Sequence, residues 1–301
     1  MADWPDLAAV EALVALADHG SLAAAARATG MAQPNVSRSI ARLERRFGLP
    51  LIHRSTTGAT LTAQGLVVVE WSRELLAAAR RLADGVEALG EGPSTLTLAA
   101  SHTVAENLVP GWVADLRRRR ADLRIRTEVC NSTEVIGQLM RGQCDVGFIE
   151  GPDAPGGLNH RVVGEDELLL VAPPGHPLTR RRRPLPLTAL ADWPLVTREA
   201  GSGTRVALDH ALRSRGLPPI EPVQEAGSNA TVRVAVASGA GLAVLSRLAV
   251  AAMIDAGTLV AVPMDLRLHR SLRAVWAGPA QPSGPVGELI MIASGRDRRT
   301  R

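Results

Sequence analysis

Two residue types are missing from this chain of 301 residues, and aromatic residues are rare. There is no tyrosine, and phenylalanine, tryptophan and tyrosine together make up only 2% of the chain. Proteins that bind single-stranded DNA or RNA stack bases on aromatic side chains, so this composition argues against that class. Lysine is absent too, which makes all 34 basic residues arginines.

Cysteine is also rare. Cys130 and Cys144 are too few for a disulfide framework and lack the spacing of a zinc finger. The seven histidines include no pair at the helical spacing of metal ligands. We therefore expect no metal and no cofactor, and we interpret the two thiols as buried or idle rather than as a redox switch.

Long apolar runs are missing as well. No run reaches the length of a membrane-spanning helix, and the N-terminal MADWPDLAAV has no basic segment before an apolar stretch. We expect a soluble cytoplasmic protein with no membrane partner. The length of 301 residues allows two or three domains, each with a buried core. The hydrophobic content of 46% and the charged content of 21% are those of ordinary globular proteins.

The pattern of residues 20–65 predicts two short helices followed by a hairpin. Ser21 and Gly30 are placed to cap the start and the end of the first helix. Its buried face would consist of Leu22, Ala25 and Ala26. Pro34 suits the first turn of the second helix. The apolar residues that recur at helical spacing there are Val36, Ile40, Leu43 and Phe47.

The outward face of the second helix would carry amides, hydroxyls and guanidinium groups, which a helix-turn-helix presents to the major groove of DNA. The net charge of +4 is small, but five arginines cluster in this region. We predict base-edge contacts from Gln33, Asn35 and Arg38. The predicted phosphate contacts are Ser21, Ser37, Arg42 and Arg54. Pro34, Thr56 and Thr57 complete the predicted DNA-binding set.

Many residues of this segment match a known DNA-binding domain in one fixed register. They are Gly20-Ser21, Ala25-Ala26, Gln33-Pro34, Val36-Ser37, Ile40, Leu43-Glu44, Gly48, Leu51, Arg54, Leu61-Thr62 and Gly65. In this order they resemble the N-terminal domain of LysR-type transcriptional regulators, and the resemblance extends over the whole chain. Ala32, Ile52 and Thr57 depart from the family pattern. Ala32 should cost the second helix a cap of about 1 kcal/mol, and Thr57 lacks a contact expected of the wing.

A long helix is predicted after the hairpin, because residues 62–89 contain no proline. Apolar and small residues there alternate in steps of four and three, the pattern of a coiled-coil seam. They are Val68, Ser72, Leu75, Ala79, Leu82, Val86 and Leu89. The alternative is a helix packed on its own domain, but we favour a dimer, which also suits a symmetric DNA site. Residues 90–94 have the composition of a hinge.

From residue 95 onward, predicted strands alternate with predicted helices. The strands are 95–99, 123–129, 145–149, 168–172, 195–198, 222–225, 242–245, 259–262 and 271–276. The helices are 105–120, 133–141, 204–215, 230–238, 247–256 and 286–293. Such alternation predicts an α/β fold with mostly parallel sheets.

The resemblance implies a more detailed architecture for this region. It implies two Rossmann-like lobes of the periplasmic-binding-protein type, joined by crossing segments near residues 150–164 and 263–269, with a ligand cleft between them. The expected domains are a winged helix-turn-helix (1–61), a linker and dimerisation helix (62–90) and an effector-binding domain (91–301). Lobe I would comprise about 95–163 plus 268–301, and lobe II about 164–267. The resemblance also implies a tetramer of paired dimers on an inverted-repeat operator, and RNA polymerase is a further candidate partner.

Several strand-to-helix turns of this region are rich in hydroxyls and amides. Each alone is most simply a helix cap, but together they favour a polar, anion-accepting cleft at the strand ends. The segment REAGSGTR adds Arg198 and Arg205, either of which can pair with an anion. The predicted effector-binding residues are Ser101, His102, Thr103, Asn131, Ser132, Thr133, Glu150, Arg198, Ser202, Gly203, Thr204 and Asn229. We expect a small anionic metabolite or an inorganic oxyanion.

Two other functional classes are less well supported. An enzyme is not expected, because the chain has no HExxH, GxSxG or Walker motif, and the adjacent carboxylates of residues 165–167 point in alternating directions. A solute-binding protein of the transport type would share the α/β architecture, but it would need a signal peptide and no DNA-binding head. The sequence therefore predicts a sequence-specific transcriptional regulator whose activity a small effector modulates.

Overall fold

The computed structural model describes residues 4–55, 58–87 and 95–295. They fall into two compact units that divide between residues 92 and 93, with residues 140–143 grouped with the first unit. Thr56, Thr57, Leu89 and the predicted hinge at 90–94 lie outside the described residues, as does the side chain of Val86. None of the described helices is long and apolar enough to span a membrane.

The first unit consists of three short helices, a hairpin and one long helix. They are α1 (Leu7–His19), α2 (Leu22–Thr29), α3 (Gln33–Phe47), β1 (Ile52–Ser55), β2 (Gly58–Leu61) and α4 (Ala63–Glu87). Ser21 Oγ accepts a hydrogen bond from the N–H of Ala24 (3.2 Å), and Gly30 ends α2 with a positive φ of 67°, as predicted. Ala32 makes no side-chain bond to the start of α3, which is also as predicted.

The core of the first unit lies between α1, α2 and α3. Val36, Ile40 and Leu43 are buried in it, as their spacing predicts. Phe47 is 37% exposed, so the prediction that it is buried is wrong. It is the last residue of α3, and Gly48 ends the helix there with a positive φ. A residue at that position lies beyond the turns that pack against the core.

The predicted seam of α4 is divided between two environments. Val68 and Ser72 are buried within the chain, and Val68 packs into the core of the first unit. Leu75 and Leu82 are 36% and 70% exposed. The prediction that the whole seam pairs with a second helix is therefore wrong for Val68 and Ser72, because the first turns of α4 pack against the core of the first unit. The alternative, a helix packed on its own domain, describes that part.

The second unit is built on a mixed sheet of seven strands, in the order β10-β6-β11-β5-β3-β4 with β9 also paired to β6. Its strands are β3 (Thr95–Ser101), β4 (Arg124–Cys130), β5 (Val146–Gly151), β6 (Asn159–Ala172), β9 (Ala243–Ser246), β10 (Val260–Val262) and β11 (Leu268–Trp276). A separate sheet consists of β7 (Val196–Arg198) and β8 (Gln224–Ala226). Only the β3–β4, β3–β5 and β7–β8 pairs are parallel in the described sheets. The prediction of mostly parallel sheets is wrong, because β6 and β11 run antiparallel to each other and to their other neighbours.

Helices cover the sheet. They are α5 (His102–Asn107), α6 (Val109–Arg119), α7 (Ser132–Met140), α8 (Gly203–Arg213), α9 (Asn229–Ala237), α10 (Arg247–Asp255) and α11 (Gly284–Ala293), with 3-10 helices at Pro177–Arg180 and Leu187–Asp192. The single helix predicted over residues 105–120 is two helices, α5 and α6. Pro110 explains the break, because it has no N–H to bond the carbonyl of Glu106.

β6 and β11 are long strands that run through both lobes of the α/β fold. Val163 of β6 packs in the core with β3 and β5, whereas Leu168 and Leu170 pack in the core with α8. The segments predicted as crossings near 150–164 and 263–269 overlap these paired strands only at 159–164 of β6 and 268–269 of β11. Only 168–172 of β6 was predicted as a strand, because residues 159–167 are mostly polar and lack an apolar pattern.

Candidate DNA-binding face and effector site

The N-terminal part of α3 presents an exposed polar surface. Gln33, Pro34, Asn35, Arg38 and Arg42 are all exposed, as predicted. The guanidinium of Arg38 donates to Asn35 Oδ1 (2.6 Å) and to the carbonyl of Pro34 (3.3 Å). The amide and guanidinium groups therefore stand side by side on the first two turns. That is the arrangement by which a recognition helix meets base edges.

Arg54 connects the hairpin to this helix. Its Nη1 donates to Ser37 Oγ (2.7 Å), and its Nη2 lies 3.5 Å from Glu44 Oε2. Glu44 Oε1 also accepts from the N–H groups of Leu51 and Ile52 (2.9 and 3.1 Å). Glu44 matches the family pattern but was given no role by the sequence. Its carboxylate holds β1 against α3, so the predicted phosphate residues Ser37 and Arg54 lie on one surface.

Arg270 lies at the centre of a buried polar group in the second unit. Its Nε and Nη2 donate to Asp166 Oδ2 (2.9 and 2.7 Å). Its Nη1 donates to Thr204 Oγ1 (2.9 Å) and lies 3.0 Å from Glu150 Oε1, and its Nη2 also donates to Thr103 Oγ1 (3.2 Å). A guanidinium has five N–H groups; four of them make these hydrogen bonds, and the contact with Glu150 Oε1 is an ion pair.

Arg198 extends this group of residues. Its Nη1 donates to Asn229 Oδ1 (2.6 Å), and Asn229 Nδ2 donates to Thr103 Oγ1 (3.2 Å). Thr103 Oγ1 in turn donates to Glu150 Oε1 (3.2 Å). The bonds therefore run from α5 and β5 of one lobe to β7, α8 and α9 of the other. We call these residues the interlobe cluster: Thr103, Glu150, Asp166, Arg198, Thr204, Asn229 and Arg270.

The charge of Arg198 is balanced by its neighbour in sequence. Glu199 accepts from Nε and Nη2 of Arg198 through both carboxylate oxygens, each at 2.8 Å. The bonds to Glu199 and Asn229 use three of the five N–H groups and leave one on each terminal nitrogen. Arg205, the other candidate from the REAGSGTR segment, is bonded to Asp209 and Thr197 instead. Arg198 is therefore the arginine of this segment that bonds to the interlobe cluster, through Asn229.

Residues from two helix N-termini close around Glu150. Ser132 Oγ donates to the Glu150 carbonyl (3.0 Å) and accepts from its N–H (3.2 Å), and Thr133 Oγ1 donates to the carbonyl of Gly201 (3.3 Å). A Cβ on Gly203 would lie 2.0 Å from the Glu150 carbonyl oxygen, so only glycine fits there. Asn131 is the exception: its side chain caps α7 by accepting from the N–H of Glu134 (3.0 Å).

Sequence reasoning missed Arg270 and Asp166. The two residues face each other in the register of β6 and β11, and both are nearly inaccessible. The side chains of Glu165, Asp166 and Glu167 do alternate in direction. This alternation buries Asp166, in the middle, whereas Glu165 and Glu167 are more exposed. Neither residue lies in a segment predicted as a strand, since the predicted strands begin at residues 168 and 271.

Ser101, His102 and Ser202 border the interlobe cluster. Ser101 and Ser202 stand at the starts of α5 and α8, yet neither side chain makes a capping bond. Ser228, in contrast, caps α9 by accepting from the N–H of Thr231 (3.1 Å). Burial, and then the positive charge of Arg198, lower the pKa of His102 below 6.5. A neutral imidazole is therefore favoured beside the cluster.

The two cysteines pack in or against the same small core cluster, with Val135 and Leu139. Burial, followed by the negative charge of Asp145, raises the pKa of Cys144 to about 12. Reactivity requires the thiolate, so Cys144 is held in its unreactive form. Within residues 4–55, 58–87 and 95–295, no three His, Cys, Asp or Glu side chains are grouped so that they could hold a metal ion.

Comparison with known proteins identifies both units. Residues 7–66 match the bacterial regulatory helix-turn-helix protein, lysR family, and residues 90–294 match the LysR substrate binding domain. The chain belongs to the LysR family. An uncharacterized HTH-type transcriptional regulator of Mycobacterium tuberculosis is 41% identical, with 97% of each chain covered. This LysR-type protein is thus a transcriptional regulator with a helix-turn-helix and an effector-binding domain, and its relatives are named as regulators rather than enzymes.

Solved structures share the fold. Full-length CbnR complexed with its target DNA has a TM-score of 0.61 at 18% identity, covering 97% of this chain and 99% of that one. The regulatory domain of Synechocystis CcmR in complex with 2-PG has a TM-score of 0.60 at 22% identity, covering 68% of this chain and 98% of that one. At these identities the likeness shows the fold alone.

Proposed function

We propose that this LysR-type protein binds an inverted-repeat operator through α3 and that a small anionic effector in the interlobe cleft alters that binding. The observation that carries the proposal is Arg198, which is buried at the cleft with two N–H groups left for a ligand. Chromosomal DNA is the partner, so we place the protein in the cytoplasm. RNA polymerase is a further candidate partner.

The DNA-binding part of the proposal rests on the exposed face of α3. Gln33, Asn35 and Arg38 are proposed to contact bases, because amides suit adenine and a guanidinium suits guanine. Fluorescence anisotropy on DNA from upstream of the coding region, against a shuffled duplex at two salt concentrations, tests this. We expect a preference for the upstream fragment at both salts. Equal and steeply salt-dependent binding to both duplexes would contradict it.

Self-association is proposed to use the exposed apolar side of α4. Trp71 and Leu75 line a groove of about 370 Å³ together with Phe47 and Leu49, and Leu82 is exposed further along the helix. An exposed apolar surface of this kind favours burial against a second copy. Light scattering should give a dimer or a dimer of dimers, and Leu75→Glu should shift the mass towards the monomer. Glu74→Gln, at the exposed neighbour of Leu75 in the sequence, serves as control.

The effector part of the proposal rests on the charge and the position of Arg198. A carboxylate or oxyanion could accept from its two remaining N–H groups. Closure of the cleft around it would then change the affinity of the protein for its operator. The structure of CcmR with 2-PG is consistent with a small ligand in a domain of this fold. The coupling between effector and operator should be about 1–3 kcal/mol.

Calorimetry with a panel of organic acids and oxyanions tests the effector proposal. We expect heat from at least one acid, and a loss of most of that affinity in Arg198→Ala. Arg120→Ala is the control, since Arg120 pairs with Glu288 on the surface of the same unit. Binding by Arg198→Ala that equals wild type, or no heat from any compound, would refute the proposal.

A further inference from the structure

Three buried side-chain oxygens at the cleft have no hydrogen-bond partner among the described residues. They are Ser101 Oγ, Glu150 Oε2 and Ser202 Oγ, on side chains that are 1–2% exposed. Buried polar atoms are nearly always satisfied in native proteins. An unpaired carboxylate oxygen is the least expected of the three, because desolvating a charge is the largest penalty.

The three atoms belong to one place in the fold. Ser101 ends β3, which pairs with β5, and Glu150 lies near the end of β5. Ser202 begins α8, next to Gly203, whose Cα faces the carbonyl of Glu150 so closely that no Cβ fits. All three residues therefore lie where β3, β5 and the start of α8 meet, beside the interlobe cluster.

The protein itself offers Glu150 Oε2 little charge compensation. Arg270 meets Glu150 through Oε1 and not Oε2, and its single charge faces two carboxylates, Asp166 and Glu150. Arg198 is balanced by Glu199. Two arginines thus face three carboxylates. A ligand that was only an anion would add negative charge and leave Oε2 unpaired, so the unmet requirement is a hydrogen-bond donor.

We infer that the effector is an acid that also carries a donor, an ammonium or hydroxyl group, which Glu150 Oε2 accepts. The inference rests on the proposed anionic effector and specifies its chemistry. The acid group would accept from the two remaining N–H groups of Arg198. The hydroxyls of Ser101 and Ser202 make no capping bond, so they would bond the polar atoms of the effector between its acid group and its donor group. An α-amino or α-hydroxy acid carries both functions on adjacent carbons.

Calorimetry on the full-length protein with matched acids tests this inference. Succinate, malate and aspartate share one skeleton and differ only in the hydrogen, hydroxyl or ammonium group at one carbon. Propionate, lactate and alanine form a second series. In at least one series the donor-bearing acids should bind about tenfold or more tightly than the donor-free acid, because the latter leaves a buried acceptor unpaired.

Variants locate the effect. Glu150→Gln removes the carboxylate charge and should bring the preference for the ammonium-bearing acid to within about threefold of the donor-free acid. Ser202→Ala removes a single hydroxyl and should weaken the donor-bearing acids while leaving the fold intact. Glu225→Gln, on the exposed part of β8, is the matched control and should behave as wild type. Circular dichroism and operator binding report folding of each variant.

The outcomes separate this inference from the proposed function. Donor-free acids that bind as tightly as their partners would overturn the inference and leave the anionic effector standing. A Glu150→Gln protein that is folded and keeps the wild-type preference would also overturn it. An absence of heat from every acid would overturn both, whereas operator binding is measured independently. The same three atoms would then be explained by trapped water.

Discussion

Arg38 and Asn35 are joined by a short hydrogen bond on the exposed start of α3, with 2.6 Å between Arg38 Nη2 and Asn35 Oδ1. The bond uses the oxygen of the amide and leaves its nitrogen as a donor. It also holds the guanidinium over the N-terminal turn rather than letting it extend along the helix. Two proposed base-reading side chains are therefore partly ordered before DNA binds, which lowers the entropy lost in the complex.

Arg38→Ala should relax sequence discrimination at one base pair. A bidentate contact between an arginine and guanine is worth about 1–3 kcal/mol of discrimination, so that much preference should disappear at a single position. Anisotropy titrations against operators with single substitutions measure it. Arg45→Ala, further along the same helix, should leave the base preferences unchanged. Equal losses for Arg38→Ala on operator and shuffled DNA would contradict a base-reading role.

Arg54→Ala should weaken binding to all sequences alike. Its guanidinium lies with Ser37 beside the recognition helix, where a phosphate would replace the present hydroxyl contact. Loss of one phosphate contact should reduce the slope of log K against log salt by about 1. Salt titrations on operator and shuffled duplexes measure the slope. A change confined to the operator would instead assign Arg54 to base recognition.

Arg270→Met should strongly destabilise the second unit. The change leaves Asp166 and Glu150 as buried, unpaired carboxylates, and removing one partner of a buried ion pair typically costs about 3–5 kcal/mol. Urea unfolding measures the loss. Adding Asp166→Leu should recover part of it, because one of the two stranded charges is then gone. Arg120→Ala breaks a surface pair and should cost less than about 1 kcal/mol.

Gly203→Ala should destabilise the protein and disturb the cleft. The new Cβ would lie 2.0 Å from the backbone oxygen of Glu150, and backbone cannot move aside as a flexible side chain can. Overpacking of this kind costs about 1–3 kcal/mol. Thermal or urea unfolding measures it. Gly156→Ala is the control, because a Cβ at Gly156 meets nothing within 4 Å and requires no change of backbone.

Stability should depend on the protonation of His102. Burial lowers its pKa below 6.5 in the folded protein, so the unfolded chain binds the proton more tightly. The contribution to the free energy of unfolding is therefore greatest above about pH 6.5 and falls as the pH drops towards the folded-state pKa. Urea unfolding of His102→Gln should show a smaller loss between about pH 7 and about pH 5. An identical pH profile for variant and wild type would contradict this.

Short-range sequence patterns were enough to predict the helix-turn-helix at the N-terminus. Ser21, Gly30 and the apolar residues of α3 act within one or two helical turns, so their spacing in the sequence fixes which face is buried. The polar outer face follows from the same spacing. The family match and the alternation of strands and helices then indicated the α/β class. The turns that carry Thr103, Ser132, Ser202 and Asn229 were also found this way, because each stands directly at the start of a helix.

Long-range pairing decided the rest. The polar segment at 159–167 is a strand only because β11 pairs with it, and that pairing places Asp166 opposite Arg270 across about a hundred residues of chain. The break at Pro110 was visible in the sequence, but the burial of Val68 depends on what packs against it. Which arginine faces the cleft also depends on neighbours: Arg205 is bonded to Asp209 and Thr197, whereas Arg198 is bonded to Asn229 of the interlobe cluster. Sequence specifies which groups are present and their local direction, whereas burial and the count of remaining hydrogen-bond donors exist only once distant segments meet.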